Sequence, residues 1–159
     1  MTIALREITR ENWRACASLQ VAQEQRHFIA PNMKSLLQYF YQDPTDTFAP
    51  FGIYDGNTMV GFTMYGQSDF NGRLGWEIWR LMIDERHQRQ GYARAALLQI
   101  IALMRARLRC EEIFIMFAVD NHVAGKLYAS VGFVDTGEIE DGEKIFRLDL
   151  SANGRADAV

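Results

Sequence analysis

Nine residues in the middle of the sequence, Arg86–Arg94, have the composition of a turn that binds phosphate groups. The segment is basic, and Gly91 and Ala93 would let the backbone come close to a ligand. A helix is predicted to begin here, and a helix start offers unpaired backbone N–H groups and the positive end of the helix dipole. Arg89 and Arg94 could add charge-assisted hydrogen bonds. The segment therefore predicts a pyrophosphate site. The alternative is a basic loop that only caps the helix.

A phosphate site of this kind needs a strand before the turn and a helix after it, and the sequence predicts both. The strand covers Trp76–Ile83, which is rich in aromatic and branched residues. The helix runs from Gly91 to about Arg109, and its apolar residues follow helical spacing: Leu97, Ile100, Ile101, Met104 and Leu108. The turn is therefore expected between two well-defined elements.

The remaining pattern predicts an α/β (α+β) fold. Six further strands are predicted: Ile3–Ile8, Ala49–Tyr54, Met59–Tyr65, Glu112–Ala118, Phe133–Gly137 and Lys144–Leu150. Three further helices are predicted: Arg10 to about Gln20, Asn32 (as the N-cap) to about Tyr41, and Asn121–Ser130. The polar stretch Gly66–Gly75 predicts a loop, and Asp55–Asn57 and Glu138–Glu143 predict turns. This order predicts a mixed sheet with helices on both faces.

Length and composition limit the possible functions. The 159 residues suit one domain, expected over 1–150, with a small polar tail at 151–159. The net charge of −3 argues against a nucleic-acid partner. The two cysteines and three histidines form no closely spaced cluster, so no metal is expected. The charged N-terminus, the isolated thiols and the lack of a long apolar run favour a cytoplasmic protein without a membrane partner.

Two motifs together resemble the GNAT superfamily of N-acetyltransferases. Gln88-x-x-Gly91-x-Ala93 is similar to the family's coenzyme A signature, although Ala93 replaces the commoner glycine. Asn121-x-x-Ala124-x-x-Leu127-Tyr128, followed by Gly132-Phe133, resembles the segment after the family's fifth strand. The joint occurrence of both motifs is more specific than either alone. The resemblance implies a mostly antiparallel sheet of about seven strands, in which two central strands splay apart.

The resemblance also implies acetyl-CoA as the cosubstrate. The pantetheine arm would enter the gap between the Trp76–Ile83 and Glu112–Ala118 strands and pair with backbone near Leu81, Met82 and Ile83. The other cofactor contacts that it implies are Gln88, Arg89, Gln90, Gly91, Tyr92, Ala93 and Arg94 in the turn, with Asn121 and Lys126 further along the chain.

Acetyl transfer to an amine needs an acid for the departing thiolate and a base for the ammonium group. Tyr128 matches the family's general-acid tyrosine, and the alternative is a tyrosine packed in the core. Glu77 is our candidate base, because ideal alternation puts it on one strand face with Trp79, Leu81 and Ile83. It could equally be an exposed strand residue. A bulge would change this register. Glu24 and Glu143 are reserve candidates.

The acceptor is suggested by weaker signals. Residues 23–36, 80–84, 136–138 and 141–143 resemble bacterial diamine and polyamine acetyltransferases, which implies a small-molecule amine substrate and a homodimer. Acidic residues are concentrated near the C-terminus: Glu138, Glu140, Asp141 and Glu143. The aromatic side chains Phe28, Trp76 and Trp79 could stack on a cation. The expected acceptor-site residues are Glu24, Phe28, Trp76, Trp79 and Glu143.

Two other functions remain open from the sequence. One is an acetyltransferase for a protein lysine, a protein N-terminus or an aminoglycoside. The other is an acyl-CoA-binding module without catalytic activity, although Tyr128 argues against it because a binding module needs no acid. The acidic hairpin and the aromatic residues could also be a solvated turn and ordinary core.

Overall fold

A computed structural model describes residues 2–151. The strands are β1 Ile3–Glu7, β2 Ala49–Asp55, β3 Thr58–Phe70, β4 Arg73–Ile83, β5 Glu112–Ala118, β6 Val134–Glu140 and β7 Glu143–Asp149. The helices are α1 Trp13–Ser18, α2 Asn32–Phe40, α3 Tyr92–Leu108 and α4 His122–Ala129. Short 3₁₀ turns lie at Gln23–Gln25 and Glu85–His87. Of the tail expected over 151–159, all but Ser151 lies outside the described residues.

The seven strands form one sheet in the order β1-β2-β3-β4-β5-β7-β6. Every neighbouring pair is antiparallel except β4 and β5, which are parallel. The predicted mixed α/β fold is therefore confirmed. No helix among residues 2–151 is long and apolar enough to cross a membrane.

The two parallel strands in the middle of the sheet separate almost at once. β4 and β5 share a single paired position, Glu77 with Phe114. By contrast, β5 pairs with β7 along its whole length, from Glu112 to Ala118. The edge of β4 after Glu77 therefore has no ladder with β5, which produces the splayed centre that the family resemblance implied.

Helices cover both faces of the sheet. On one face, the stripe of α3 packs on the core, with Leu97, Ile100 and Met104 fully buried. On the other face, Cys16 of α1 and Leu36 of α2 pack against β3 and β4. The apolar spacing of α3 correctly predicted this contact, because a helix on a sheet buries one stripe of side chains.

The prediction of a loop over Gly66–Gly75 is wrong. β3 and β4 continue through this region as a long hairpin, and its turn is at Asn71 and Gly72, which both have positive φ values of 57° and 85°. An Asn-Gly pair suits such a turn because both residues tolerate left-handed backbone. The polar residues that suggested a loop instead face a cleft, as described below.

Asn32 does not act as the N-cap of α2. Pro31 holds that position, and Asn32 is the first helical residue. Its side chain is buried and donates a hydrogen bond from Nδ2 to the Cys16 carbonyl oxygen at 2.9 Å. The amide therefore ties α2 to the end of α1. In the C-terminal hairpin, β6 and β7 extend further than expected and turn at Asp141 and Gly142.

Candidate active site

The turn between β4 and α3 is anchored by a buried carboxylate that the sequence did not single out. Asp84 Oδ1 accepts hydrogen bonds from the backbone N–H of Arg86 at 3.1 Å and from Arg86 Nε at 2.7 Å. Its Oδ2 accepts from the backbone N–H of Gln20 at 3.0 Å. Burial acts to raise the pKa of Asp84, but these hydrogen bonds together lower it. Asp84 therefore fixes the start of the turn as a carboxylate.

Gln88, the first residue of the coenzyme A signature, uses its side chain inside the protein. Its Nε2 donates to the Ile83 carbonyl oxygen at 3.0 Å and to Gln25 Oε1 at 2.7 Å. The side chain therefore links the end of β4 to the 3₁₀ turn at Gln23–Gln25. Only the backbone of Gln88 is left free for a phosphate contact.

The start of α3 has the geometry of an anion site. Arg89 and Gly91 have positive φ values of 59° and 83°, and the helix begins at Tyr92. The first α-helical bond is donated by Ala95 to the Gly91 carbonyl oxygen at 3.2 Å. The N–H groups of the preceding helical residues therefore have no partner within the helix, as at any helix start. Arg89, Gln90 and Arg94 are exposed around them.

Two side chains of the same turn point back into the protein. The Tyr92 hydroxyl donates to Asp55 Oδ2 at 2.7 Å, which ties α3 to the end of β2. Ala93 packs against the small core formed with Ile53, Val60 and Ile83. A small residue at position 93 therefore has a packing reason here, in addition to the close approach of a ligand that the sequence suggested.

A cleft of about 730 Å³ opens where β4 and β5 diverge. Its walls come from the segment before α2, the segment before β2, the β3–β4 hairpin, β5, α4 and the β6–β7 hairpin. The lining residues that matter below are Phe28, Asp46, Ser68, Asp69, Glu77, Trp79, Arg80, Leu81, Asn121, Tyr128, Glu140, Asp141 and Glu143. The two residues expected to handle protons, Glu77 and Tyr128, thus line one cavity.

Tyr128 reaches the cleft from α4. The helix is capped by Asn121, whose Oδ1 accepts from the Ala124 N–H at 3.2 Å. The tyrosine ring packs edge-on against Phe117, with centroids 5.3 Å apart, and only 7% of the residue is exposed. Burial, together with the negative charge of Glu143, raises the pKa of the phenol above its usual value. The hydroxyl therefore stays protonated and can serve as a donor.

Glu77 is a buried carboxylate, with 7% of its surface exposed. Burial is the main cause that raises its pKa to about 7, and the charges of Glu143 and Glu140 act in the same direction. A hydrogen bond from the Ser68 hydroxyl and the charge of Arg80 oppose this rise. A carboxylate with a pKa near neutrality can accept and release a proton under ordinary conditions.

A bulge in β4 overturns part of the expected strand pattern. Met64 pairs with Arg80 but the next residue, Tyr65, pairs with Ile78, so Trp79 is an extra residue in β4. Beyond the bulge the alternation is reversed. Glu77 and Trp79 consequently share a face with Met82, and Trp79 packs against the core cluster that contains Met82. The expectation that Glu77 shares its face with Leu81 and Ile83 is therefore wrong.

The expected acceptor residues separate into two groups. Phe28, Trp79 and Glu143 line the cleft. Trp76 lies on the opposite face of β4, where its ring meets Tyr65 edge-on at 6.0 Å, and Glu24 is exposed in its 3₁₀ turn, away from the cleft lining. The Trp79 indole nitrogen is buried and has no hydrogen-bond partner within residues 2–151.

The expected cofactor contacts outside the turn also differ in position. Asn121 and Leu81 line the cleft, whereas Lys126 is exposed on α4 and is not part of the lining. Met82 and Ile83 are buried side chains, so only their backbone could meet a ligand. Within the described range, no group of three or more His, Cys, Asp or Glu side chains could hold a metal ion.

Sequence reasoning missed the residues that the β3–β4 hairpin brings into the cleft. These are Gln67, Ser68 and Asp69. The Asn71-Gly72 pair was the available signal, because this dipeptide is typical of a two-residue hairpin turn. Arg80 was missed as a cleft residue because the bulge reorients it. Its guanidinium donates to the Trp79 carbonyl oxygen at 2.7 Å and to Ser35 Oγ at 3.2 Å.

The seven-stranded sheet with its splayed centre is consistent with the fold of an acetyltransferase. The model of the acetyltransferase (GNAT) family matches residues 4–133, and the chain belongs to this family. The spermine/spermidine N(1)-acetyltransferase of Bacillus subtilis strain 168 is 30% identical in an alignment that covers 94% of this chain and 100% of that protein. A probable spermine N(1)-acetyltransferase of B. subtilis subsp. natto is 28% identical over the same shares.

Solved structures agree on the fold. A spermidine N-acetyltransferase from Vibrio cholerae, in complex with CoA and spermine, has a TM-score of 0.70 at 20% identity, over 91% of this chain and 92% of that chain. A dodecameric structure of spermidine N-acetyltransferase from the same species also has a TM-score of 0.70 at 20% identity, covering 98% of each chain. The GNAT domain of S. lividans PAT has a TM-score of 0.72 at 18% identity, over 92% and 89%.

Proposed function

We propose that this chain transfers an acetyl group from acetyl-CoA to a primary amine of a small di- or polyamine. The observation that carries the proposal is the single cleft that Glu77 and Tyr128 both line, at the point where β4 and β5 part. A base, an acid and a strand edge without a ladder partner are thereby close to one another. These are the parts that acetyl transfer to an amine requires.

Acetyl-CoA is proposed to bind from the start of α3 into the cleft. The pyrophosphate would accept hydrogen bonds from the N–H groups of the first turn of α3, with Arg89 and Arg94 beside it. The pantetheine arm would lie along β4 after Glu77, where the backbone near Leu81 is not paired with β5. The acetyl group would then reach the part of the cleft that contains Glu77 and Tyr128.

The chemistry follows from the two proton-handling groups. The substrate ammonium gives a proton to the Glu77 carboxylate, and the neutral nitrogen attacks the thioester carbonyl carbon. As the carbon–sulfur bond breaks, the Tyr128 hydroxyl gives its proton to the departing sulfur. The attacking nitrogen, which carries a positive charge once the carbon–nitrogen bond has formed, gives up its second proton to the resulting tyrosinate, which leaves a neutral amide, a free thiol and the Tyr128 hydroxyl restored. Burial raises the pKa of Tyr128, but a thiolate in the same buried site also holds a proton more tightly than in water, so the two effects oppose each other in this transfer.

The charge of the cleft supports a substrate with more than one ammonium group. Five acidic side chains besides Glu77 line it, namely Asp46, Asp69, Glu140, Asp141 and Glu143, whereas Arg80 is the one cation among the lining residues. Phe28 and Trp79 could contact the alkyl chain. The names of the two Bacillus subtilis relatives point to the same class of acceptor.

Release of free CoA in the presence of an acceptor panel tests this function. Spermidine, spermine and putrescine should be acetylated, whereas a lysine-containing peptide and an aminoglycoside should react far more slowly. If only a peptide or an aminoglycoside reacted, the polyamine part of the proposal would be wrong. If no amine increased CoA release although acetyl-CoA bound, a non-catalytic binding module would be favoured.

We also propose that residues 1–150 act as one domain within a homo-oligomer, at least a dimer, in the cytoplasm. The exposed side of α2 carries four large apolar or aromatic residues: Met33, Leu37, Phe40 and Tyr41 at its end. A patch of this kind is typical of an interface between proteins.

Both cysteines, Cys16 and Cys110, are free thiols, as expected in a reducing compartment. Sedimentation analysis of the purified chain would test the oligomeric state, which Leu37→Glu should weaken.

A further inference from the structure

One hydroxyl group lies against the buried carboxylate of the cleft. The Ser68 Oγ donates a hydrogen bond to Glu77 Oε2. Within residues 2–151, this is the one hydrogen bond that Glu77 receives through its side chain. Ser68 and Glu77 both line the cleft, so the pair forms part of the wall that an acceptor would contact.

The sheet register explains why this hydrogen bond must come from Ser68. The residue directly opposite Glu77 on β3 is Gly66, which has no side chain to donate. A Cβ at Gly66 would lie 2.6 Å from Cδ1 of Phe48, so a larger residue does not fit there. Ser68 pairs with Gly75 and is the diagonal neighbour of Glu77 on the same face.

We propose that Ser68 is a positioning residue for acetyl transfer, whose hydroxyl holds one oxygen of the Glu77 carboxylate and leaves the other for the acceptor ammonium. The inference rests on the proposed role of Glu77 as the base. The carboxylate has two equivalent oxygens and a rotatable side chain, so a single fixed hydrogen bond restricts its orientation. A group held in this way loses less freedom when the substrate binds.

The same hydroxyl also acts on the charge of Glu77. A hydrogen bond to the ionised form favours that form, so Ser68 lowers the pKa of Glu77 against the effect of burial. The charged and titratable groups around Glu77 come from several elements: Asp46, Asp69, Arg80, Tyr128, Glu140, Asp141 and Glu143. Glu143 and Glu140 disfavour the ionised form, whereas Arg80 favours it. Ser68 therefore helps to keep Glu77 ionised in an acidic cleft.

The test is the pH dependence of kcat in Ser68→Ala. Loss of the hydrogen bond should move the acid limb of the profile upward by about one pH unit, as expected for one bond to a charged group. Activity should then fall about fivefold at neutral pH and approach the wild-type value at alkaline pH. ¹³C NMR of the glutamate carboxyl groups, with the Glu77 signal assigned through Glu77→Gln, should show the same upward move without turnover.

Two variants separate positioning from general structural support. Ser68→Thr keeps the hydroxyl and should restore the wild-type profile. Thr47→Val removes a hydroxyl that accepts a hydrogen bond, at 2.9 Å, from the N–H of Gln67, which precedes Ser68 on β3. This variant should leave the acid limb in place. An equal loss of activity at every pH in Ser68→Ala, with no move of the NMR titration, would overturn the inference.

Failure of this inference is distinct from failure of the proposed base. If Glu77→Gln retained the acid limb of the wild-type profile, the role of Glu77 would be wrong, and the inference about Ser68 with it. If Glu77→Gln abolished the acid limb while Ser68→Ala left it unmoved, Glu77 would stand as the base and only the role of Ser68 would fall.

Discussion

The turn before α3 and the cleft beside it differ in the chemical groups that we propose they offer to acetyl-CoA and to the acceptor amine. In the turn, the side chains of Asp84 and Gln88 are hydrogen-bonded within the protein, and the groups proposed to bind the ligand are backbone N–H groups. In the cleft, the groups proposed to act on the ligand are titratable side chains, above all Glu77 and Tyr128, which both line it. Backbone groups hold their charge at every pH, whereas the cleft depends on proton occupancy. Cofactor binding should therefore be insensitive to pH and acetyl transfer sensitive to it.

The largest expected effect is the loss of acetyl-CoA binding when a side chain at position 91 blocks the proposed phosphate site. In Gly91→Val, a branched side chain would stand at a residue with a φ of 83° and block the approach of the phosphates. Acetyl-CoA binding, measured by calorimetry, should be lost. Gly137→Val is the matched control, because Gly137 has a φ of 82° but lies in the exposed strand β6. Unchanged affinity in folded Gly91→Val would refute the backbone model of the turn.

Replacing the proposed acid, Tyr128, should slow acetyl transfer in the cleft without weakening acetyl-CoA binding at the turn. In Tyr128→Phe the ring is kept and only the proton donor is lost, so kcat should fall by about 10²-fold with little change in the affinity for acetyl-CoA. Tyr54→Phe is the control, since Tyr54 is also 7% exposed but packs in the core near α1 and α2. Full activity of Tyr128→Phe across the pH range would make Tyr128 a packing residue only.

Removing the base should change the pH profile as well as the rate. Glu77 must be ionised to accept a proton, so wild-type kcat should rise as pH increases through about 7. In Glu77→Gln this limb should disappear, kcat at neutral pH should fall by about 10-fold or more, and high pH should restore part of it because more amine is already neutral. The affinity for acetyl-CoA should stay constant over the same range. If the affinity for acetyl-CoA changed with pH in the same way as kcat, cofactor binding at the turn and proton transfer in the cleft would not be separate.

The same substitution should alter stability in a pH-dependent way. The pKa of Glu77 is higher in the folded protein than in the unfolded chain, so the folded state binds the proton more tightly. The resulting stabilisation is fully present below about pH 4.5 and is lost as pH rises through about 7. Between these values, the Tm of the wild type should fall more than that of Glu77→Gln. Equal falls in both would show that Glu77 carries no raised pKa in the folded state.

The sequence predicted the turn better than it predicted the cleft. The turn is local, so the residues Gln88–Arg94 and the stripe of α3 were enough to predict a helix start with free N–H groups. The cleft is assembled from six parts of the chain, and its residues depend on register. The bulge at Trp79 moved Leu81 to the other face from Glu77, and the Asn71-Gly72 hairpin brought Ser68 beside Glu77. Neither arrangement has a local pattern that fixes it.

The smallest expected effect concerns the acidic wall of the cleft. Glu143 lines the cleft and is partly buried, and burial raises the pKa of its carboxyl group. Its negative charge is therefore present only at a pH above that raised pKa. In Glu143→Gln, KM for putrescine should rise by about two- to fivefold, the range expected for a partly exposed charge pair, whereas KM for butylamine should stay the same. Added salt should weaken the advantage of putrescine over butylamine in the wild type, because exposed charge pairs are screened over about 10 Å at 0.1 M.

The control for the acidic wall is Glu138→Gln, which removes an equal charge from the exposed strand β6 outside the cleft lining. A general effect of net charge on a cationic substrate would raise KM for putrescine equally in both variants, since long-range attraction does not depend on contact. A local effect would raise it only in Glu143→Gln, and the rise would vanish with butylamine. Equal KM values for the diamine and the monoamine in the wild type at low salt would contradict a second ammonium site. That result would leave the turn and the two proton-handling groups unaffected, because neither depends on a distal charge.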